Sequence, residues 1–309
     1  MKTRDFAVKL RENIGKVIKG KERETDLAAA ALICGGHVLL EDVPGTGKTV
    51  FARAMAKSLD CDFRRIQFTP DLLPSDITGI NFYNMKEQEF RFRKGPVFTN
   101  ILLADEINRA TPRTQSALLE VMEEGKATVD GVTRMLPNPF VVLATQNPFG
   151  SAGTQKLPES QLDRFMICTT IGYPSHSAAM EILSGSKAEV SEINPILSIE
   201  EFLSLQEDVK KVFVDRSINE FIISFIENTR KNPYISLGIS PRGSIALLKM
   251  AKATALISER DYVVPDDVIY NIPAVCAHRI VLSPKAKAQK LTEFSVLKEV
   301  LNETPLPKM

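Results

Sequence analysis

Apolar positions along this chain fall into short runs and helical spacings that alternate over the first half. Residues 5–34 read as two helical segments split near Gly20, with Val17-Ile18-Lys19-Gly20 as a short apolar turn between them. His37–Glu41 is an apolar run followed closely by Pro44 and Gly45, which predicts a buried strand entering a loop. Thr49–Leu59 has helical periodicity, with Phe51, Met55 and Leu59 on one face. Further strands are predicted at Phe63–Phe68, Asn100–Ala104, Phe140–Thr145 and Phe165–Ile171, and a helix at Thr114–Glu124. Phe82–Phe92 reads as a hairpin-like insertion. Lys126–Met135 reads as a small hairpin around the turn pair Asp130-Gly131. Strands alternating with helices imply a mainly parallel sheet covered on both faces.

The pattern changes after Pro174. Ala178–Ser184, Ile199–Val209, Ser217–Lys231, Pro241–Glu259 and Pro265–Ile280 all carry helical spacing, which predicts a smaller helical domain. The expected division is an α/β domain over 1–173, a linker over 174–198 and a helical domain over 199–309.

Composition narrows the class without choosing a function. The chain has 309 residues, 44% hydrophobic and 25% charged, which suits folded domains rather than disorder. Lys plus Arg is 39 against 38 for Asp plus Glu, so the net charge of +1 provides no general attraction to nucleic acid or anionic membrane. The longest apolar run, Leu27–Cys34, is too short to cross a bilayer, and Met1–Asp5 leads into no apolar stretch that would act as a signal. Cys34, Cys61, Cys168 and Cys276 are scattered, as reduced packing residues would be. A cytoplasmic protein is the expectation.

Three segments carry chemistry. Pro44-Gly45-Thr46-Gly47-Lys48-Thr49 lies between a predicted strand and a predicted helix. Glycines let the backbone wrap a phosphate with several N–H groups pointing inward, and a helix N-terminus adds positive potential. Lys48 would reach the β- and γ-phosphates of a nucleotide, and Thr49 would hold Mg²⁺. The usual pattern opens with Gly where this chain has Asp42, so only the first corner of the loop is expected to differ. The second segment, Ile101–Glu106, is an apolar strand ending in two acids. Asp105 would ligate Mg²⁺ and Glu106 would polarise an attacking water; an acid pair in this position also occurs as a helix N-cap. In the third, Ala144–Pro148, Asn147 could bond the γ-phosphate or the water, and an Asn-Pro turn is the simpler reading. Arg164 and Arg242 have the forked group suited to phosphate, with surface ion pairs as the alternative. Arg242 lies in the first turn of a predicted helix, where it opposes the dipole, so it needs another reason to be there.

Together these segments resemble the AAA+ ATPases, and specifically the MoxR family, over nearly the whole chain. The likeness is carried by Leu40–Thr49, by Gly95-Pro96-Val97-Phe98 leading into Leu103–Ala110, by Thr114–Glu120, by Ala144–Pro148, by Leu157-Pro158-Glu159 through Phe165, and by Tyr262–Val268. The resemblance implies a P-loop α/β core with a helical lid, ATP and Mg²⁺ as cofactors, and a homo-oligomeric ring, commonly a hexamer. It implies that Pro44, Gly45, Thr46, Gly47, Lys48, Thr49 and Val50, with Val17, Ile18, Asp105, Asn147 and Arg242, meet the nucleotide. Glu106, Lys48, Asn147, Arg164 and Arg242 would act in hydrolysis, Arg164 by entering a neighbour's site and Arg242 by reporting nucleotide to the lid. Arg109 and Arg113 rival Arg164 for that role, and Gln67 is a candidate to restrain Glu106. Chaperone-like remodelling is implied, with a von Willebrand factor A-domain protein as a possible partner, no specific nucleic acid and no membrane insertion. A nucleic-acid motor using Lys86, Arg91, Arg93 and Lys94, and a nucleotide-gated scaffold with little turnover, are the competing readings.

Overall fold

The computed structural model describes residues 3–43, 45–147, 156–184 and 190–307. Pro44 and Pro148, both in predicted motifs, lie outside the described residues. Helices α1 (Thr3–Val17) and α2 (Glu22–Ile33) precede strand β1 (Val38–Glu41), and α3 (Lys48–Ser58) follows it. Next come β2 (Phe63–Gln67), the short helix α4 (Pro74–Thr78) and the hairpin β3 (Gly79–Asn84) with β4 (Glu89–Lys94). Strand β5 (Ile101–Asp105), helix α5 (Pro112–Glu124), the hairpin β6 (Lys126–Val129) with β7 (Val132–Met135), and β8 (Val141–Gln146) complete the middle of the chain. The helical turn α6 (Glu159–Leu162) leads to β9 (Ile167–Thr169).

Five of these strands form one parallel sheet in the order β2-β5-β8-β1-β9. Every residue of β5 and the first five of β8 are buried, as strands covered on both faces must be. The period of two then sorts side chains between two cores. Val38, Leu40, Leu103, Leu143 and Ile167 pack on one face with α1, α2 and α3. Leu39, Leu102, Ala104, Val142 and Ala144 pack on the other with Leu118, Leu119 and Met122 of α5 and with Phe165.

The C-terminal part is mostly helical: α7 (His176–Leu183), α8 (Ile199–Lys211), α9 (Arg216–Lys231), α10 (Pro241–Ile257), α11 (Pro265–Cys276), α12 (Pro284–Ala288) and α13 (Glu293–Glu303). Ser198 and Glu201 form a capping box at the start of α8, and Ser240 caps α10 by accepting from the Gly243 N–H at 3.0 Å. Buried residues of α8, α9 and α10 join the same apolar cluster as α1–α3. Gln206 on α8 donates to the Leu32 carbonyl at 2.9 Å, at the end of α2.

Three local expectations change. The first hairpin is longer than 82–92, because Gly79 and Gly95 cross at its base. Gly79 has φ +97°, and a Cβ there would lie 2.3 Å from the Arg93 carbonyl oxygen. The C-terminal part also holds a two-stranded ribbon, Ile235–Leu237 (β10) against Val281–Leu282 (β11), too short to show a period in sequence. Finally, the predicted helix 265–280 stops at Cys276, and a tight turn over Ala277–Arg279 aims Arg279 inward. Among the described residues no helix is long and apolar enough to cross a membrane. Burial pushes the thiols of Cys34, Cys61 and Cys276 up to about 12, so they pack as inert groups.

Candidate active site

The C-terminal ends of β1, β5 and β8 lie side by side, with Glu41 paired to Gln146 and Ala104 to Ala144. This edge is where open parallel sheets place their ligands. The loop leaving β1 turns at Gly45 (φ +86°) and Gly47 (φ +91°), both left-handed. Gly47 is the N-cap of α3, so the helix N-terminus faces the loop's interior. A Cβ added at Gly45 would meet open space, and one at Gly47 would approach Ile18 Cδ1 at 3.5 Å. Ile18 and Val17 are partly buried against the apolar core beside this loop. Thr46 is buried, Thr49 half-buried, and Val50 faces outward.

Asp42 explains itself in three dimensions. It is buried, and its Oδ2 accepts from the N–H groups of Ile171 at 2.8 Å and Gly172 at 2.7 Å, while Oδ1 accepts from Val43 at 3.0 Å. A glycine would turn the corner but could not tie the loop to the segment after β9. Lys48 Nζ rests on the carbonyls of Asp42 and Val43 at 2.9 and 3.0 Å, folded back along the loop that it would serve.

The acid pair is held by neighbours on both sides. Thr145 Oγ1 donates to Asp105 Oδ1 at 2.6 Å and accepts from the Glu106 N–H at 2.8 Å. Arg65 on the adjacent edge strand donates to Asp105 Oδ2 through Nη2 at 2.6 Å and Nε at 3.1 Å. Glu106 has φ +55°, a conformation unusual outside glycine, which throws its side chain away from the strand line. Its Oε2 accepts from Gln67 Nε2 at 2.9 Å and from Arg109 Nη1 at 2.9 Å. Gln67 is in register with Asp105 on the neighbouring strand, so its reach to Glu106 follows from the pairing. Asn147 leaves β8 on the same edge, and its carbonyl accepts from Asn108 Nδ2 at 3.3 Å. Sequence reasoning did not single out Arg65 or Thr145; the signal was there in the alternation Arg65-x-Gln67, which puts two polar groups on one face of a strand beside the acids.

Arg164 and Arg242 lie at the other edge. Met166 donates to the His37 carbonyl, just before β1, so the Arg164 segment sits where the strands begin. Arg242 Nη2 contacts Glu123 Oε1 at 2.8 Å, and Arg164 Nη2 contacts Glu123 Oε2 at 3.3 Å. Met122, next to Glu123, accepts from His37 Nε2. The structure therefore brings the two arginines together and separates both from the Lys48 loop by β1, a strand of four residues or about 13 Å of chain. The partner that Arg242 needed at its helix start is Glu123. A buried network fixes this pair. Arg279 donates to Asp163 Oδ1 at 2.8 Å, to the Asp163 carbonyl at 3.2 Å and to the Met166 carbonyl at 3.1 Å. Ser240, the cap of α10, donates to Asp163 Oδ2 at 2.7 Å. The residue before Arg164 is thus bonded to the residue two before Arg242. Arg113, a rival for the same role, opens α5 and is exposed, whereas Arg109 is engaged with Glu106.

Known proteins match this arrangement. Residues 37–167 match the ATPase family associated with various cellular activities (AAA), and 227–300 match an AAA lid domain. Chaperone MoxR1 of Mycobacterium tuberculosis is 39% identical over 305 residues, covering 96% of this chain and 81% of that protein. This chain belongs to the MoxR family of AAA+ ATPases. The uncharacterized protein YeaC of Bacillus subtilis is 50% identical over 298 residues, 96% of this chain and 93% of its own. A crystal structure of a Cytophaga hutchinsonii protein superposes with a TM-score of 0.91 at 37% identity, over 99% of this chain and 96% of that one. The MoxR assignment carries with it the five-stranded parallel core, the helical C-terminal region and the nucleotide binding that the AAA ATPase family implies.

Proposed function

We propose that this protein is a Mg²⁺-dependent ATPase that works as a homo-oligomeric ring and uses turnover to remodel partner proteins. The observation that carries the reading is the meeting, at one sheet edge, of a left-handed glycine loop at a helix N-terminus with the carboxylate pair at the end of β5, one strand removed from β1. The donor set fits the cofactor: Thr49 offers a hydroxyl and Asp105 a carboxylate, the hard oxygens that magnesium takes, and Gly45 puts no side chain on the loop. Thr49 and Asp105 would hold the ion, which supplies neutralisation of charge on the phosphates.

The remaining work falls to the chain. Lys48 leaves the loop carbonyls and binds the β- and γ-phosphates. Backbone N–H groups of the loop, with Val50 at the helix start, surround the phosphate tail. Val17 and Ile18 offer apolar surface to the base. Glu106 takes the proton of the attacking water once Gln67 and Arg109 release it, and Asn147 orients that water or the γ-phosphate. Arg164 and Arg242 face away from their own loop, which favours action on the nucleotide of an adjacent subunit and hence a ring, taken as a hexamer. The division into a nucleotide domain 1–173, a linker 174–198 and a lid 199–309 belongs to the same reading. The chaperone naming of the mycobacterial relative supports protein clients; a von Willebrand factor A-domain protein as a possible partner and a cytoplasmic place of action belong to the same proposal.

The test is steady-state ATP hydrolysis against protein concentration, with Lys48→Ala alongside. The expected result is a specific rate that climbs with concentration and disappears in the variant. A rate at the variant's background throughout would sink the ATPase reading.

A further inference from the structure

We propose that Arg65 is a stand-in cation for magnesium: it holds Asp105 and tethers Gln67 until the metal arrives, and so ties metal occupancy to the restraint on Glu106. This rests on Asp105 being the metal-ligating carboxylate.

The geometry is specific. Of the two oxygens of Asp105, Oδ1 is taken by the Thr145 hydroxyl at 2.6 Å, and Oδ2 receives both Arg65 donors at 2.6 and 3.1 Å. Arg65 thus sets its charge against the oxygen that Thr145 leaves free. The same Nη2 also donates to Gln67 Oε1 at 2.9 Å. Gln67 in turn donates to Glu106 Oε2 at 2.9 Å. One unbroken chain runs from Asp105 through Arg65 and Gln67 to Glu106. Residues 65 and 67 share a face of the edge strand, and Gln67 is in register with Asp105, so the strand's period of two builds the relay. A forked guanidinium can bridge the carboxylate and the amide together; an ammonium is a single point of charge. Arg65 is about half-exposed, so it can swing into solvent without leaving a cavity.

In the metal-loaded state Arg65 gives up Asp105, because two cations cannot share one carboxylate oxygen cheaply. Gln67 then loses the donor to its amide oxygen and keeps only the long 3.4 Å bond from its Nε2 to the Asp105 carbonyl, so its hold on Glu106 weakens. Arg65 is a positioning residue in this scheme, since it touches neither nucleotide nor water.

The test is a Mg²⁺ titration of nucleotide binding by the full-length protein, read by the anisotropy of a fluorescent ADP analogue, so that no turnover is involved. Arg65→Gln is expected to lower the Mg²⁺ concentration at half-effect roughly two- to fivefold, the strength of a half-exposed ion pair, with the metal-free affinity unchanged. Arg65→Lys, which keeps the charge, is expected to stay near the parent. A half-effect concentration in Arg65→Gln equal to or above the parent's overturns the proposal, as does a Lys variant that behaves like Gln. Asp105→Asn separates the two levels. If it raises the Mg²⁺ requirement while Arg65→Gln changes nothing, only the stand-in role fails. If Asp105→Asn leaves the Mg²⁺ dependence intact, the metal assignment fails and this inference with it.

Discussion

Arg242 and Glu123 form an ion pair of 2.8 Å at the edge of the sheet opposite the Lys48 loop. Glu123 also takes Arg164, and the network of Arg279, Asp163 and Ser240 makes one rigid unit of both arginine segments. Side chains of Glu123 and Arg242 are more than two-fifths exposed, so each pair contributes at most about 1 kcal/mol and exchanges easily for a phosphate. Arg164→Ala and Arg242→Ala are therefore each expected to cut hydrolysis on the order of a hundredfold or more while nucleotide affinity holds within about twofold. Mixing either variant with Lys48→Ala, which keeps both arginines, should restore part of the rate. Recovery of nothing in the mixed ring would place these arginines outside catalysis.

Glu106 is restrained from two sides, by Gln67 and by Arg109. Glu106→Gln preserves the shape but cannot accept a proton, so turnover should fall about 10²- to 10⁴-fold with ATP still bound. Gln67→Ala removes a restraint and leaves the base, so it should raise basal turnover and uncouple it from assembly. Single-turnover rates at saturating ATP measure both; a Gln67→Ala rate below the parent's would mean that Gln67 positions Glu106 productively rather than holding it back.

Asp42 stands where the usual loop has glycine, and its carboxylate is spent on three backbone N–H groups. Asp42→Gly would leave the buried N–H of Ile171 and that of Gly172 without their acceptor, a loss of about 2–4 kcal/mol. Asp42→Asn keeps one acceptor oxygen and should lose about half as much. Denaturant midpoints of the nucleotide-free protein give the comparison, and equal midpoints for Asp42→Gly and the parent would refute the anchoring role.

How much was legible beforehand follows from range. The glycine loop, the acids after β5 and Asn147 after β8 are contiguous patterns with a strand on one side, so period and turn chemistry marked them. Asp42 looked like a departure because its partners Ile171 and Gly172 lie far along the chain. Arg65 and Glu123 were not singled out for the same reason: an arginine in a strand and a glutamate near a helix end are ordinary until strand order puts β2 beside β5 and α5 beside the start of β1. The ribbon of β10 and β11 escaped notice because three residues against two display no period.

His37 offers a test of the sheet's other edge that is independent of nucleotide. Its Nε2 lies 3.0 Å from the Met122 carbonyl and its Nδ1 3.0 Å from the Val142 N–H, so only the neutral Nε2–H tautomer satisfies both. Burial, with Arg242 as a further opposing charge, pushes its pKa down to about 4. An unfolded histidine titrates near 6.5, so below that pH the unfolded chain binds the proton that the folded one refuses. The sign follows: stability is full above pH 6.5, falls as pH drops and levels off near 4. Between pH 7 and 5 the loss from His37 is about 2 kcal/mol. His278, likewise buried and depressed, adds in the same direction. His37→Gln can keep one acceptor and one donor without a titrating ring. Its unfolding free energy should therefore drop less between pH 7 and 5 than the parent's, by about the amount attributed to His37. Parallel losses in the two proteins would show that His37 is not the group that titrates.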